Sequence, residues 1–249
     1  FGTAVRDVLR NDLYRTLIAR KDIRIVLFAQ DIGDAFKDEF ASRNVQFEPL
    51  ERVNPSLCER MLLQFQRALL RDSCRTIDLG NTSGDTVWLN RFTPFARLCL
   101  KAFGLARMNR IMYFLYKVFA PARKHKGHFQ KYRPDLVVVT RVLNFSADYP
   151  IMRQASAQNV PVIALVSSWD NLTSKGFFPF GLHSIVVWNH VIEQEAVELF
   201  QFPKERIVVT GIPRYDIFFK RTELYSRNKF FKKRGLDPNK RLITYGTGS

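Results

Sequence analysis

Nine consecutive residues, Ser168-Trp169-Asp170-Asn171-Leu172-Thr173-Ser174-Lys175-Gly176, hold the densest set of chemically useful side chains in the chain. An indole that can stack on a sugar or base stands beside a carboxylate, an amide, hydroxyls and an ammonium that can hydrogen-bond a polyol. Asp170 has the chemistry to take a proton from an attacking hydroxyl, provided it is ionised and reaches the substrate. The same letters also suit an Asx-type turn with a packed Trp, and both readings stand at this point.

Four further groups carry related chemistry. Arg141, Asn144 and Asp148 follow the apolar run Leu136–Thr140 (LVVVT), and Gly211-Ile212-Pro213-Arg214-Tyr215-Asp216 follows Ile207–Thr210 (IVVT). Arg214 can grip a phosphate through two parallel hydrogen bonds or pair with Asp216 in a hinge. Gly246, Thr247, Gly248 and Ser249 have the composition of a loop that cradles phosphate with backbone N–H groups, or of a plain turn. Gly2 and Thr3 invite the same reading, with Arg6 one turn further on as an anion contact.

These residues need elements to position them, and the second half of the chain supplies a regular series. Leu136–Thr140, Val162–Val166, Ser184–Val187 and Ile207–Thr210 are short apolar runs, with helical candidates at Tyr149–Gln158 and Val191–Phe200 between them. Alternation of this kind predicts βαβ units, with parallel strands buried on both faces. In an open parallel sheet, ligands sit beyond the carboxyl ends of the strands, where the polar groups above fall.

The first half is less regular. An amphipathic helix is predicted from Val5 through Ile18, a strand over Ile23–Ala29, a short helix over Asp34–Arg43 and a strand near Val45–Phe47. A longer helix follows from Pro55 to Arg75, with Leu57, Met61, Phe65 and Leu69 at four-residue steps and Ser56 as its cap. Near the end, Lys220–Arg234 predicts a basic connecting helix and Arg241–Gly246 a further strand, with a domain boundary between Phe219 and Arg241.

The formal net charge is +16, and its distribution is uneven. No Asp or Glu occurs from Thr86 to Pro134, where eleven Lys and Arg residues fall. Within this stretch Leu105, Met108, Ile111, Met112, Leu115, Tyr116 and Phe119 follow helical spacing, with Tyr113 and Phe114 widening the apolar surface. Three readings remain open: a core helix with a solvated basic face, a helix lying in an anionic membrane surface, and a nucleic-acid contact. No nucleic-acid-binding module supports the last of these.

Other chemistries find little support. Cys58, Cys74 and Cys99 are odd in number and lack Cys-x-x-Cys spacing, which points to a reducing compartment. His125 and His128 lack carboxylate or cysteine partners at ligand spacing, and His183 and His190 read as structural. No Gly-x-Ser-x-Gly elbow is present. No apolar stretch approaches the eighteen or so residues needed to cross a bilayer, and the start does not read as a signal peptide. The chain begins at Phe1 without an initiator Met and stops just past a strand-like run, so a piece of a longer protein is expected.

Taken together, RPDLVVVT, VPVIALVSSWDNLTSKG and RIVVTGIPRYDIF leading into RLITYGTGS resemble two-domain GT-B glycosyltransferases. Within these the likeness is to the CDP-glycerol glycerophosphotransferase-like and surface-polysaccharide transferase families. It is strongest over roughly the last 115 residues and rests elsewhere on layout. The resemblance implies an α/β fold in which residues 1–218 form a Rossmann-like acceptor domain with a basic helical segment at 86–134. Residues 219–249 would be the linker and the start of a nucleotide-donor domain.

It further implies a transferase moving a sugar or glycerophosphate from a nucleotide-diphosphate sugar or CDP-glycerol to a hydroxyl acceptor, lipid-linked in some relatives, with no metal or other cofactor. The setting would be cytoplasmic, at the inner face of the membrane. Gly2, Thr3, Arg6, Arg141, Asn144, Trp169, Asn171, Thr173, Lys175, Arg214 and Asp216 would line the acceptor cleft, and Gly246 to Ser249 would begin the donor-phosphate loop. Where polymer glycerophosphotransferases carry a His-Gly pair, this chain has Trp169 to Asn171, which leaves Asp170 or a residue elsewhere as the base. The rival readings are a UDP-sugar 2-epimerase of the same plan and a non-catalytic module binding anionic lipid or nucleic acid.

Overall fold

The computed structural model describes residues 4–30, 32–50, 56–71, 85–119, 125–140, 148–174, 181–216, 219 and 225–245, with positions 63, 67, 70, 71, 85–90, 174 and 214 described by backbone alone. The chain divides into two compact units, Phe1–Ile212 and Pro213–Ser249.

The first unit is a mixed α/β structure with two parallel sheets and flanking helices, compatible with a Rossmann-like fold. Strands β1 (Ile25–Ala29) and β2 (Val45–Pro49) pair in parallel, Ile25 opposite Val45, around helix α2 (Asp34–Phe40). The second sheet has the order β3-β4-β5-β6, with β3 Val137–Val139, β4 Val162–Leu165, β5 Ser184–Val187 and β6 Ile207–Val209. All three of its pairings are parallel. Each strand is a short run rich in β-branched residues, and its length and flanking turn residues, more than its period, mark it as a strand. Helix α6 (Tyr149–Ala157) joins β3 to β4, and α8 (His190–Phe200) joins β5 to β6.

The expected burial of both sheet faces does not hold. Val139, Val162, Ala164, Ile185 and Val187 are buried, whereas on the other face Val138 is 52% and Val208 49% exposed. The strand order explains this. When parallel strands follow one another in sequence across a sheet and every crossover is right-handed, the connecting helices fall on the same face. Here α6 and α8, the two long helices among the described residues that join these strands, pack on the buried face.

Several predicted boundaries change. The predicted helix from Val5 to Ile18 breaks into a π-turn (Val5–Leu9) and α1 (Asp12–Ala19), because Asn11 is extended and its side chain accepts the Leu13 N–H at 2.9 Å. Such a cap starts a new helix instead of continuing the old one. Helix α3 (Leu57–Arg71) begins as predicted at Ser56, where a capping box forms: Ser56 Oγ accepts the Glu59 N–H at 3.3 Å and Glu59 Oε2 accepts the Ser56 N–H at 2.7 Å. Its four-residue apolar series is not one buried stripe. Leu69 is buried but Leu57 is 69% exposed, since four-residue steps drift around a 3.6-residue helix.

The acid-free segment forms α4 (Asp85–Phe119), bent at Gly104, and α5 (Lys126–Tyr132). At Gly104 φ is 72° and ψ 162°, a backbone setting that glycine accepts readily, and the helix changes direction there. Rings of Phe65 and Phe92, 6.1 Å apart, pack α3 on α4, and Tyr116 meets Tyr149 of α6 at 6.3 Å. One hydrophobic core runs through Leu69, Met112, Tyr116, Met152, Val162 and Ile185 and takes in Leu50, just past β2, with Phe28 of β1 packed against it.

In the second unit, helix α9 (Arg227–Arg234) starts at the Ser226 cap and ends at Gly235, whose φ is 64°. The basic helix is thus shorter than expected, and residues 220–224 lie outside the described set. The predicted strand at Arg241–Gly246 does not form over 241–245, which is coil with Ile243 92% exposed. A strand is held by its ladder, and no other strand exists among the described residues of this unit.

Candidate functional site

The four carboxyl ends of the second sheet lie along one edge, as a parallel sheet requires. At β4 the ladder runs one step past the strand, Val166 N–H donating to Val186 O at 3.0 Å, and the chain then turns through Ser167 to Asp170. Asn171 N–H closes the turn on Ser168 O at 3.2 Å, and a single helical turn, α7 (Asn171–Ser174), follows. Leu172 is fully buried and anchors this loop to the core.

Inside the loop the polar side chains divide into two groups. Asn171 and Thr173 are turned into the protein: Asn171 Nδ2 donates to Ser167 Oγ at 3.4 Å, and Thr173 Oγ1 donates to Asp170 O at 3.4 Å. They hold the turn and do not face solvent. Trp169, by contrast, is 63% exposed. Asp170 beside it is half-buried, and Ser168 Oγ donates a hydrogen bond to its Oδ1. An outward indole next to an oriented carboxylate is the arrangement in this structure with the chemistry to hold a polyol and accept its proton. Of the two readings open from the sequence, the packed indole is the one the exposure of Trp169 does not fit.

Neighbouring strand ends complete the edge. Past β5, Asn189 caps α8 by accepting the Ile192 N–H at 3.0 Å. Past β6, Thr210 N–H donates to Val187 O at 3.1 Å, and Gly211 follows with φ 86°. The sheet order contains no reversal, so these four strands create no crevice by a switch in direction; the edge itself is what they offer.

The other predicted residues are placed as follows. Arg6 is exposed in the π-turn and pairs with Asp7 Oδ1 at 2.9 Å. Asp216 is exposed in the second unit, next to the 3₁₀ turn Pro213–Tyr215 that carries Arg214. Gly2, Thr3, Arg141, Asn144, Lys175, Gly246, Thr247, Gly248 and Ser249 lie outside the described residues. Ser168 was not among the predicted site residues. Its signal was its place two residues before an Asp just past a strand, within reach of the carboxylate across a tight turn.

Two other polar clusters are ordered, one around Glu48 and one around Glu59. Glu48 of β2 accepts from Lys131 Nζ at 2.7 Å and from Tyr132 OH, and His128 Nε2 lies 3.7 Å from its other oxygen. The bond from Lys131 foremost, then that from Tyr132, holds the Glu48 carboxyl below its ordinary value. His125 and His128 face each other at 3.4 Å between Nδ1 atoms. On α3, Glu59 meets Arg153 of α6 in a pair whose side chains are almost wholly buried. Burial first, then the neighbouring Tyr116, pushes the Tyr149 hydroxyl far above its ordinary value.

No group of three or more His, Cys, Asp or Glu is arranged to hold a metal among the described residues. Compared with protein-family models, with curated proteins and with solved structures, the chain matches none.

Proposed function

We propose that the chain belongs to a GT-B-type transferase that moves a sugar or glycerophosphate from a nucleotide-diphosphate donor to a hydroxyl acceptor. What supports the reading is the exposed Trp169 ring beside the half-buried Asp170 at the carboxyl edge of β4. In this account the acceptor hydroxyl lies against the indole and hydrogen-bonds Asp170, whose carboxylate Ser168 keeps in one orientation. As the acceptor oxygen bonds to the sugar C1, the C1–O bond to the diphosphate breaks, the nucleoside diphosphate leaves, and the proton passes to Asp170. With CDP-glycerol the same oxygen attacks phosphorus, and the P–O–P link breaks to release CMP. Cationic side chains and backbone N–H groups would balance the leaving charge.

The test is to incubate full-length protein with UDP-N-acetylglucosamine or CDP-glycerol, with and without a lipid-linked hydroxyl acceptor, and to follow nucleotide release. Acceptor-dependent release of UDP or CMP supports the proposal. Conversion of UDP-N-acetylglucosamine to its 2-epimer without acceptor would replace it by an epimerase, and no turnover with any donor would leave a binding module.

A further inference from the structure

Helix α4 carries two faces of opposite character, one buried in the core and one exposed. Ala96, Met108, Met112 and Tyr116 are buried against the rest of the first unit. On the solvent side, Leu98 and Phe114 are each 63% exposed, with Phe95, Phe103, Ile111, Val118 and Phe119 also exposed. Helical spacing sets Phe95 and Lys101 three residues either side of Leu98, and Arg91 two turns before it. Beyond the Gly104 bend, Arg110 and Ile111 precede Phe114 by four and three residues, and Lys117 and Val118 follow it by three and four. All of these residues are exposed. Each half of the bent helix therefore presents large apolar side chains flanked by cations, in a stretch with no acidic residue from Thr86 to Pro134.

We infer that this outer face of α4 docks on the surface of an anionic lipid bilayer. Charge selects the occupant. Apposing this face with itself in a second copy of the chain would set cations against cations. A nucleic acid would satisfy the cations and stack bases on Phe95 and Phe114, but it would leave the aliphatic Leu98, Ile111 and Val118 of the same face in water, since bases do not stack on aliphatic side chains. A bilayer offers both halves of the requirement at one depth, phosphate headgroups for Arg and Lys and acyl chains for the apolar residues just below. The helix lies in the interface and does not cross it: no helix among the described residues is long and apolar enough to span a membrane. Docking of this kind depends on α4 alone and survives if the transferase reading fails.

The experiment is flotation of the full-length protein with phosphatidylcholine vesicles, with and without phosphatidylglycerol. The protein should float with the anionic vesicles, poorly with the neutral ones, and less as salt rises. Leu98→Ser with Phe114→Ser should lower partitioning at least about tenfold at fixed salt, as should Arg110→Glu with Lys117→Glu. Because all four side chains are exposed, thermal unfolding should be little changed. Should the apolar pair fail to fold, Phe114→Trp gives a second readout, since its added fluorescence should be quenched by lipids brominated in the acyl chain. Flotation that both double variants retain, or added fluorescence in Phe114→Trp that is blind to brominated lipid, overturns the inference. So does wild-type protein that ignores anionic vesicles but binds duplex DNA, or that self-associates through this face.

Discussion

The hydroxyl of Ser168 donates to Oδ1 of Asp170, two residues away on the same half-buried turn past β4. Both residues lie in the loop and not in the hydrophobic core, and the bond helps to orient the carboxylate. Ser168→Ala should therefore leave folding almost untouched and lower acceptor-dependent turnover by about ten- to a hundredfold, because a misaligned base loses most of its benefit. Rates of nucleotide release by the full-length variant, set beside its thermal unfolding curve, check this.

Trp169 offers a cleaner separation of function from stability. Its ring is mostly solvent-exposed, so Trp169→Ala should shift unfolding free energy by no more than about 0.5 kcal/mol. Leu172, three residues on and fully buried, should cost about 2–5 kcal/mol when cut to Ala. Urea titrations give both values. The account also expects Trp169→Ala to raise KM for the acceptor, which the stability effect alone would not produce.

Glu59 and Arg153 tie α3 to α6. Both side chains are nearly buried, and Glu59 also accepts the Ser56 N–H at the start of α3. Removing one partner strands the other charge, so Glu59→Ala or Arg153→Ala should destabilise by about 3–5 kcal/mol, whereas an apolar pair such as Glu59→Leu with Arg153→Met should recover much of the loss. Equilibrium unfolding of the two single variants and the double variant gives the cycle.

Glu48 gives a pH dependence with a definite sign. Its carboxyl lies below the ordinary value of 4.5 in the folded chain, chiefly through the bond from Lys131. A lowered folded value means that the unfolded chain takes up a proton first as pH falls. The stabilisation is complete above the unfolded value and is lost as pH falls through the folded one. Glu48→Gln should thus be less stable than wild type at neutral pH, with the gap narrowing below about pH 4.5. Unfolding midpoints measured from neutral to acid pH test this, and a gap that stayed constant would show that Glu48 is not ionised in this role.

The sequence made the strands legible and their surroundings much less so. Ser184–Val187 was readable to the residue because an apolar run between a His and a Trp-Asn cap leaves the ladder no room to slide. The break at Asn11 was hidden because the apolar period continues across it while a local side-chain bond ends the helix. Arg241–Tyr245 has the letters of a strand, yet strand formation depends on a partner that letters do not specify. The loop past β4 was legible as polar and turn-forming. Which members face inward, Asn171 and Thr173, and which outward, Trp169, follows from the anchoring of Leu172, a tertiary fact.

The most direct trial of the central claim is Asp170→Asn in the full-length protein, measuring donor binding by calorimetry and acceptor-dependent nucleotide release side by side. The account predicts donor affinity within about twofold of wild type and turnover lowered by about 10²–10⁴. Turnover equal to wild type would contradict it and take Asp170 out of the chemistry.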